Sequence, residues 1–99
     1  MNEELFDFGG AINALKNGEW VTRKGWNGKG MYLFLLPGNE EIPKDSVCDK
    51  RLRCVVNTEF YGDTFPALPS IRMFTADRKI LTGWLASQTD MLAEDWMIV

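Results

Sequence analysis

Histidine is absent from this chain. That removes the side chain most often used as a general base near neutral pH, and the commonest metal ligand. It also removes the Ser-His-Asp and Cys-His pairings of nucleophilic catalysis. Cysteine is scarce: Cys48 and Cys54 share one segment, and no second pair completes a zinc site. In the cytosol both stay reduced, and both read as small, half-buried apolar residues. Long apolar runs are missing. The longest, Met31 to Leu36, falls far short of the ~20 residues a membrane span needs. The start, Met1-Asn2-Glu3-Glu4, is acidic and leads into no apolar stretch, so no signal peptide and a cytosolic location are expected. Positive charge is in the minority as well. Eleven Lys and Arg against fourteen Asp and Glu leave a net charge of −3. A nucleic-acid binder needs a broad basic face, so that class is disfavoured.

What remains is the composition of a folded domain. The chain has 99 residues, 45% hydrophobic and 25% charged. A single domain over residues 1–99 is expected, burying about 65% of the surface of the unfolded chain. Four tryptophans, Trp20, Trp26, Trp84 and Trp96, exceed what so small a core requires. Indoles combine large apolar area with a polar handle and concentrate at ligand sites and subunit interfaces.

The spacing of Phe8, Ala11, Ile12 and Leu15 predicts an N-terminal helix with one apolar face. Asp7 is placed to cap it, and Gly18 to terminate it in the left-handed conformation. Gly9 and Gly10 weaken its first turn, which implies a close approach of some neighbour to the backbone there. A short strand at 20–23 and a glycine-rich turn at 24–30 follow. Met31 to Leu36 reads as a strand buried on both faces. Residues 39–69 read as a long excursion between core strands, with Cys54-Val55-Val56 β-prone but short. Residues 70–75 and 80–84 form a hairpin. Ser87 and Asp90 fit a capping box opening a short helix, and residues 96–99 a β-like tail. The expected fold is α+β: a small twisted antiparallel sheet of four or five strands, with an N-terminal helix and a short C-terminal helix.

Two segments carry candidate chemistry. Arg23, Lys24 and Lys29 gather positive charge around Trp26, among glycines that let a ligand reach backbone amides. Such a loop suits an anionic, aromatic small molecule: the indole stacks on a base, and Arg and amides hold phosphate. The alternative is a solvated hairpin tip whose indole folds back onto the sheet. In the second segment, Trp84 precedes Ser87, Gln88, Thr89 and Asp90 at a helix start, where free amides bind anions. The alternative there is a cap and nothing more. Asp90 and Glu94 share a helix face, and with Asp95 read as a solvated acidic surface rather than a catalytic or metal set.

The helix start at Phe8-Gly9, the run Arg23-Lys24-Gly25-Trp26-Asn27-Gly28-Lys29-Gly30-Met31, and the run from Trp84 to Trp96 with its β tail resemble the Thoeris anti-defence type 2 family of phage proteins. The resemblance extends from about Phe8 to Val99. It implies a small α+β protein, assembled as a homotetramer with signal pockets between protomers. It also implies a function: binding a cyclic ADP-ribose isomer, the glycocyclic ADP-ribose signal made by a TIR-domain defence enzyme, without cleaving it. The signal is thereby kept from its effector in the cytoplasm of the infected host. Some relatives also hold cyclic dinucleotides at a separate site. On this reading the protein is not an enzyme, needs no cofactor or metal, and binds neither nucleic acid nor membrane. The ligand-binding set is Phe8, Gly9, Arg23, Lys24, Trp26, Asn27, Met31, Trp84, Ala86, Ser87, Thr89 and Asp90. The rivals are a hydrolase of the nucleotide signal and a protein that blocks the defence enzyme or effector by direct contact.

Overall fold

The computed structural model describes residues 4–26 and 29–99. In chain order its elements are α1 (Phe8–Lys16), β1 (Val21–Arg23), a 3-10 turn (Lys24–Trp26) and β2 (Tyr32–Leu36). Next come β3 (Asn39–Pro43), a second 3-10 turn (Lys44–Ser46), α2 (Lys50–Glu59) and β4 (Thr64–Ala67). The chain ends with β5 (Ser70–Phe74), β6 (Ile80–Thr82), α3 (Gln88–Leu92) and β7 (Trp96–Ile98). The fold is α+β, and it divides into two compact units: residues 1–36 with 70–99, and residues 37–69.

The first unit is a five-stranded antiparallel sheet in the order β6-β5-β2-β1-β7. Phe6 extends it by exchanging backbone hydrogen bonds with Trp96 on β7. α1 forms where its periodicity predicts. The Asp7 carboxylate accepts from the Gly10 amide at 2.9 Å, and Gly18 follows the helix at φ +87°. One face of the sheet meets α1. Ala11 and Leu15 from the helix, Val21 and Leu33 from the sheet, and Trp96 are fully buried together, with Leu35, Ile71 and Met73 around them. Burying a Leu or Val side chain contributes roughly 1.5–3 kcal/mol, so this small cluster dominates the stability of the unit.

The opposite face departs from expectation. β2 was expected to be buried on both faces, yet only Leu33 is fully buried; Tyr32, Phe34 and Leu35 are half-buried and Leu36 is exposed. The helical layer covers one face, and aromatic rings coat the other. Tyr32 stacks between Trp20 and Phe74, at centroid distances of 4.7 and 5.1 Å. The returning strand β6 is also shorter than expected and ends at Thr82, although the Trp84 amide still bonds to the Ile71 carbonyl at 2.8 Å.

Residues 37–69 hold regular structure of their own. β3 and β4 pair in an antiparallel ribbon, and Val47, Val56 and Phe65 form a separate core with Ile42 and Phe60. The β-prone reading of Cys54-Val55-Val56 is overturned: these residues lie within α2. The Asp49 carboxylate accepts from the Arg51 and Leu52 amides and starts the helix, and burial of Val56 outweighs the modest helix cost of β-branching. Cys48 and Cys54 are exposed rather than half-buried. Cys54 lies two positions, about 200° of helical rotation, from the inward Val56.

Candidate functional site

The sheet of the first unit ends in a cleft of about 360 Å³ beside the 3-10 turn. It is lined by Thr22 and Arg23 of β1, by Lys24 and Trp26 of the turn, by Lys29, Gly30, Met31 and Tyr32, and by Met97 and Val99 in and after β7. The volume lies within the usual range for small-molecule sites.

Backbone and side-chain bonds set this shape. Thr22 and Met97 are direct partners across β1 and β7. The Thr22 hydroxyl donates to the Met31 carbonyl at 2.7 Å, and the Val99 amide bonds to the Trp20 carbonyl at 3.0 Å. Gly30, at φ +74°, turns the chain into β2 with a conformation that side chains disfavour. Tyr32 presents a ring whose two faces are already occupied by Trp20 and Phe74.

Behind the cleft lies an ion network. Arg23 Nε donates to Asp95 Oδ1 and Nη1 to Asp90 Oδ1, each at 2.9 Å. The side chains of Arg23 and Asp90 are each 14% exposed, and that of Asp95 27%. Asp95 Oδ2 accepts from the Gly25 amide at 2.7 Å, and the Asp95 carbonyl from the Lys24 amide at 3.0 Å. Asp90 Oδ2 accepts from both the amide and the hydroxyl of Ser87, closing the capping box of α3. The hydrogen bond from Arg23 holds the Asp95 carboxyl below the usual carboxylate range, against an opposing effect of burial. Burial pushes Asp90 upward, but the amide and hydroxyl of Ser87 and then Arg23 outweigh it, so Asp90 too lies below that range. Arg23 is raised, chiefly by its hydrogen bond to Asp95.

Three indoles meet beside this network. Trp26 makes edge contacts with Trp96 at 5.4 Å and with Trp84 at 6.4 Å. Trp96 is fully buried, and its indole N–H donates to the Asp90 carbonyl at 3.0 Å. Phe8 packs on Trp96 at 5.6 Å.

The fold therefore brings the two candidate segments together, around Trp96 and the Arg23–Asp90 pair. Arg23, Lys24, Trp26 and Met31 line the cleft. Phe8, Trp84, Ser87 and Asp90 stand in the adjoining aromatic and polar cluster. Gly9, Ala86 and Thr89 do not line the cleft; Gly9 and Thr89 are exposed and Ala86 is half-buried. Asn27 lies outside the described residues. The Ser87 amide, expected to meet an anion, is taken by Asp90. Gly10 has a packing reason: a Cβ there would come within 2.9 Å of Phe6. The solvated reading of Asp90 and Asp95 is overturned, since both pair with Arg23; Glu94 lies beyond α3 and shares no helix face with Asp90. Thr22, Tyr32, Met97 and Val99 were not singled out from the sequence as cleft residues. The strict alternation of side chains across β1 and β7 is what places Thr22 and Met97 on the same side. Among the described residues, no three Cys, Asp or Glu side chains gather as a metal-holding group.

The protein is a small α+β domain with a cleft whose lining includes Trp26, Lys24 and Lys29. Comparison with known proteins shows the family. A family model, the Thoeris anti-defense 2-like domain, matches residues 6–99, and the chain belongs to that family of anti-defence proteins. It is 41% identical over 92 residues to a protein of Bacillus phage SP01 named Thoeris anti-defense 2. The match covers 93% of this chain and 92% of the relative.

Proposed function

We propose that this chain is a phage anti-defence protein that sequesters a cyclic ADP-ribose-type signal, glycocyclic ADP-ribose, without cleaving it, and so blocks activation of the Thoeris effector. The observation that carries the reading is the cleft, whose lining includes Trp26, Lys24 and Lys29. An adenine ring offers a face for an indole, and a pyrophosphate offers charge for the lysines. Arg23 contributes less charge than its position in the sequence suggested, because Asp90 and Asp95 offset it.

The acids beside the cleft favour binding over cleavage. Cleavage of a glycosidic or pyrophosphate bond needs a metal, an acid–base pair or an activated water. Asp90 and Asp95 are held ionised, so neither serves as a general acid near neutrality. Their oxygens already accept hydrogen bonds from Arg23, Ser87 and Gly25, which makes them poor bases. Capture alone is sufficient for an anti-defence role if the off-rate is slow.

The proposal includes a homotetramer acting in the cytoplasm of the infected host, where the signal is made. Exposed apolar groups support assembly: Trp20 is 50% exposed and Leu85 89%. No helix among the described residues is long and apolar enough to cross a membrane.

The test is release of the captured signal. The protein is incubated with glycocyclic ADP-ribose, freed of unbound ligand and denatured by heat, and the supernatant is assayed. Intact signal that again activates the effector is the expected result. Linear ADP-ribose or AMP accumulating with time and protein would replace sequestration by hydrolysis. A wild-type protein that retains no ligand would favour inhibition by direct protein contact.

A further inference from the structure

We propose that Asp95 is the positioning residue of the cleft: without touching the captured molecule, it fixes the Lys24–Trp26 turn and so sets the place of the Trp26 ring. The inference rests on the cleft being the capture site.

Asp95 does not line the cleft, yet it holds the wall on three counts. Its Oδ2 accepts from the Gly25 amide, its Oδ1 from Arg23 Nε, and its carbonyl from the Lys24 amide. These bonds reach the three consecutive residues that lead into Trp26. The support beneath Asp95 is rigid. Trp96, the next residue, is fully buried, pairs with Arg23 across β7 and β1, and exchanges backbone bonds with Phe6. Asp90 holds the same guanidinium from α3, so Arg23 is fixed from two sides. The turn is also fitted to the carboxylate: a Cβ on Gly25 would fall 2.7 Å from Asp95 Oδ2. The turn and the sheet edge are therefore joined through one side chain whose two oxygens both face donors.

That arrangement provides a nearly isosteric probe. An amide at position 95 has one acceptor and one donor end. Whichever way it turns, its NH₂ group faces either the Gly25 N–H or Arg23 Nε–H, and one bond becomes a clash of donors. Asp95→Asn keeps the size of the side chain and breaks one of its two bonds to the turn and to Arg23. Glu94→Gln, at the exposed neighbouring acid, removes the same charge and serves as the control.

The first measurement is made on ligand-free protein by NMR. In Asp95→Asn, either the Gly25 amide or the Arg23 Nε–H is expected to exchange at least tenfold faster, and the Trp26 indole resonance to move. The amides of Val21 and Leu33 keep their protection, and Glu94→Gln matches wild type throughout. The second measurement is calorimetric titration with glycocyclic ADP-ribose, where Asp95→Asn is expected to bind at least tenfold more weakly and Glu94→Gln like wild type. Should Asp95→Asn fail to fold, Gly25→Ala disturbs the same clamp from the turn's side and is expected to speed exchange of the amide at position 25, move the Trp26 resonance and weaken binding. Unchanged exchange at both Gly25 and Arg23 Nε with an unmoved Trp26 resonance, or unchanged affinity in the clamp variant, would overturn the proposal. If wild type binds no probe, the capture reading fails, and the ligand-free measurement still decides whether Asp95 holds the turn.

Discussion

Arg23 and Asp90 lie 67 positions apart in sequence and meet at 2.9 Å. The contact ties β1 to the cap of α3, and Asp95 ties the same guanidinium to the start of β7. β1 is thus held to two consecutive C-terminal elements, α3 and β7, by one planar cation, whose geometry suits two carboxylates at once.

Removing that cation should be costly. Arg23→Met leaves two half-buried carboxylates without their partner, and stability is expected to fall by about 1–3 kcal/mol, below the cost of breaking a fully buried pair because solvent screens this one in part. Arg23→Lys is expected to recover only a minor part, since an ammonium cannot span both acids in the same geometry. Urea unfolding followed by tryptophan fluorescence measures both.

Acid should weaken the fold in a defined window. Asp90 and Asp95 both titrate below the ordinary carboxylate value of 3.8 in the folded state. Depressed folded values mean that the unfolded chain takes up protons first as pH falls. The contribution of these acids is therefore complete above about pH 5 and is lost as pH drops below 3.8 through the folded values. Melting temperatures measured from pH 7 downward should be flat in this respect to about pH 5 and then decline. In Arg23→Met the decline should be shallower.

Trp26→Ala should affect two properties. Loss of a base-stacking ring is expected to weaken binding of glycocyclic ADP-ribose by about 1–3 kcal/mol. The ring also packs against Trp84 and Trp96, so stability is expected to fall by about 1–3 kcal/mol, less than for a fully buried aromatic. Trp26→Phe separates the effects, retaining most of the packing while reducing the stacking area. Calorimetric titration and thermal melting together resolve them.

Ser87→Ala removes the hydroxyl that accepts from the Asp90 amide at 3.1 Å. A lost N-cap costs about 1 kcal/mol. A fall of this size in urea unfolding, with Trp96 fluorescence reporting the loosening of α3, is the expected outcome.

Much of the first unit was legible because its signals are local. Asp7, the apolar spacing from Phe8 to Leu15, and Gly18 delimit α1. Ser87 and Asp90 form the box their spacing predicts. The strand at Ser70–Phe74 also lies where its composition places it. α2 was missed because three residues, Cys54 to Val56, favour extended chain locally, whereas the cap at Asp49 and the burial of Val56 act from outside that window. Trp26 joins two readings that had been opposed: it is a residue of the cleft, and its ring packs onto the indoles of Trp84 and Trp96. The clamp at Asp95 had no local signal. Its partners, Arg23 and Gly25, are 72 and 70 positions away, and only strand order brings them together.

Leu36 and Ser70 are direct partners on β2 and β5, so the chain leaves the sheet at Pro37 and re-enters it at the adjacent rung. Residues 37–69 thus span a gap that a tight hairpin turn could bridge. Because strand pairing already holds the two ends together, lengthening or shortening this segment alters loop-closure entropy only logarithmically. The register of β2 and β5 is set by five residue pairs, from Tyr32 with Phe74 to Leu36 with Ser70, all within the first unit. The segment has its own core in Val47, Val56 and Phe65, so replacing it by a short turn between Leu36 and Ser70 removes one cluster of buried side chains and leaves the residues of the other in place.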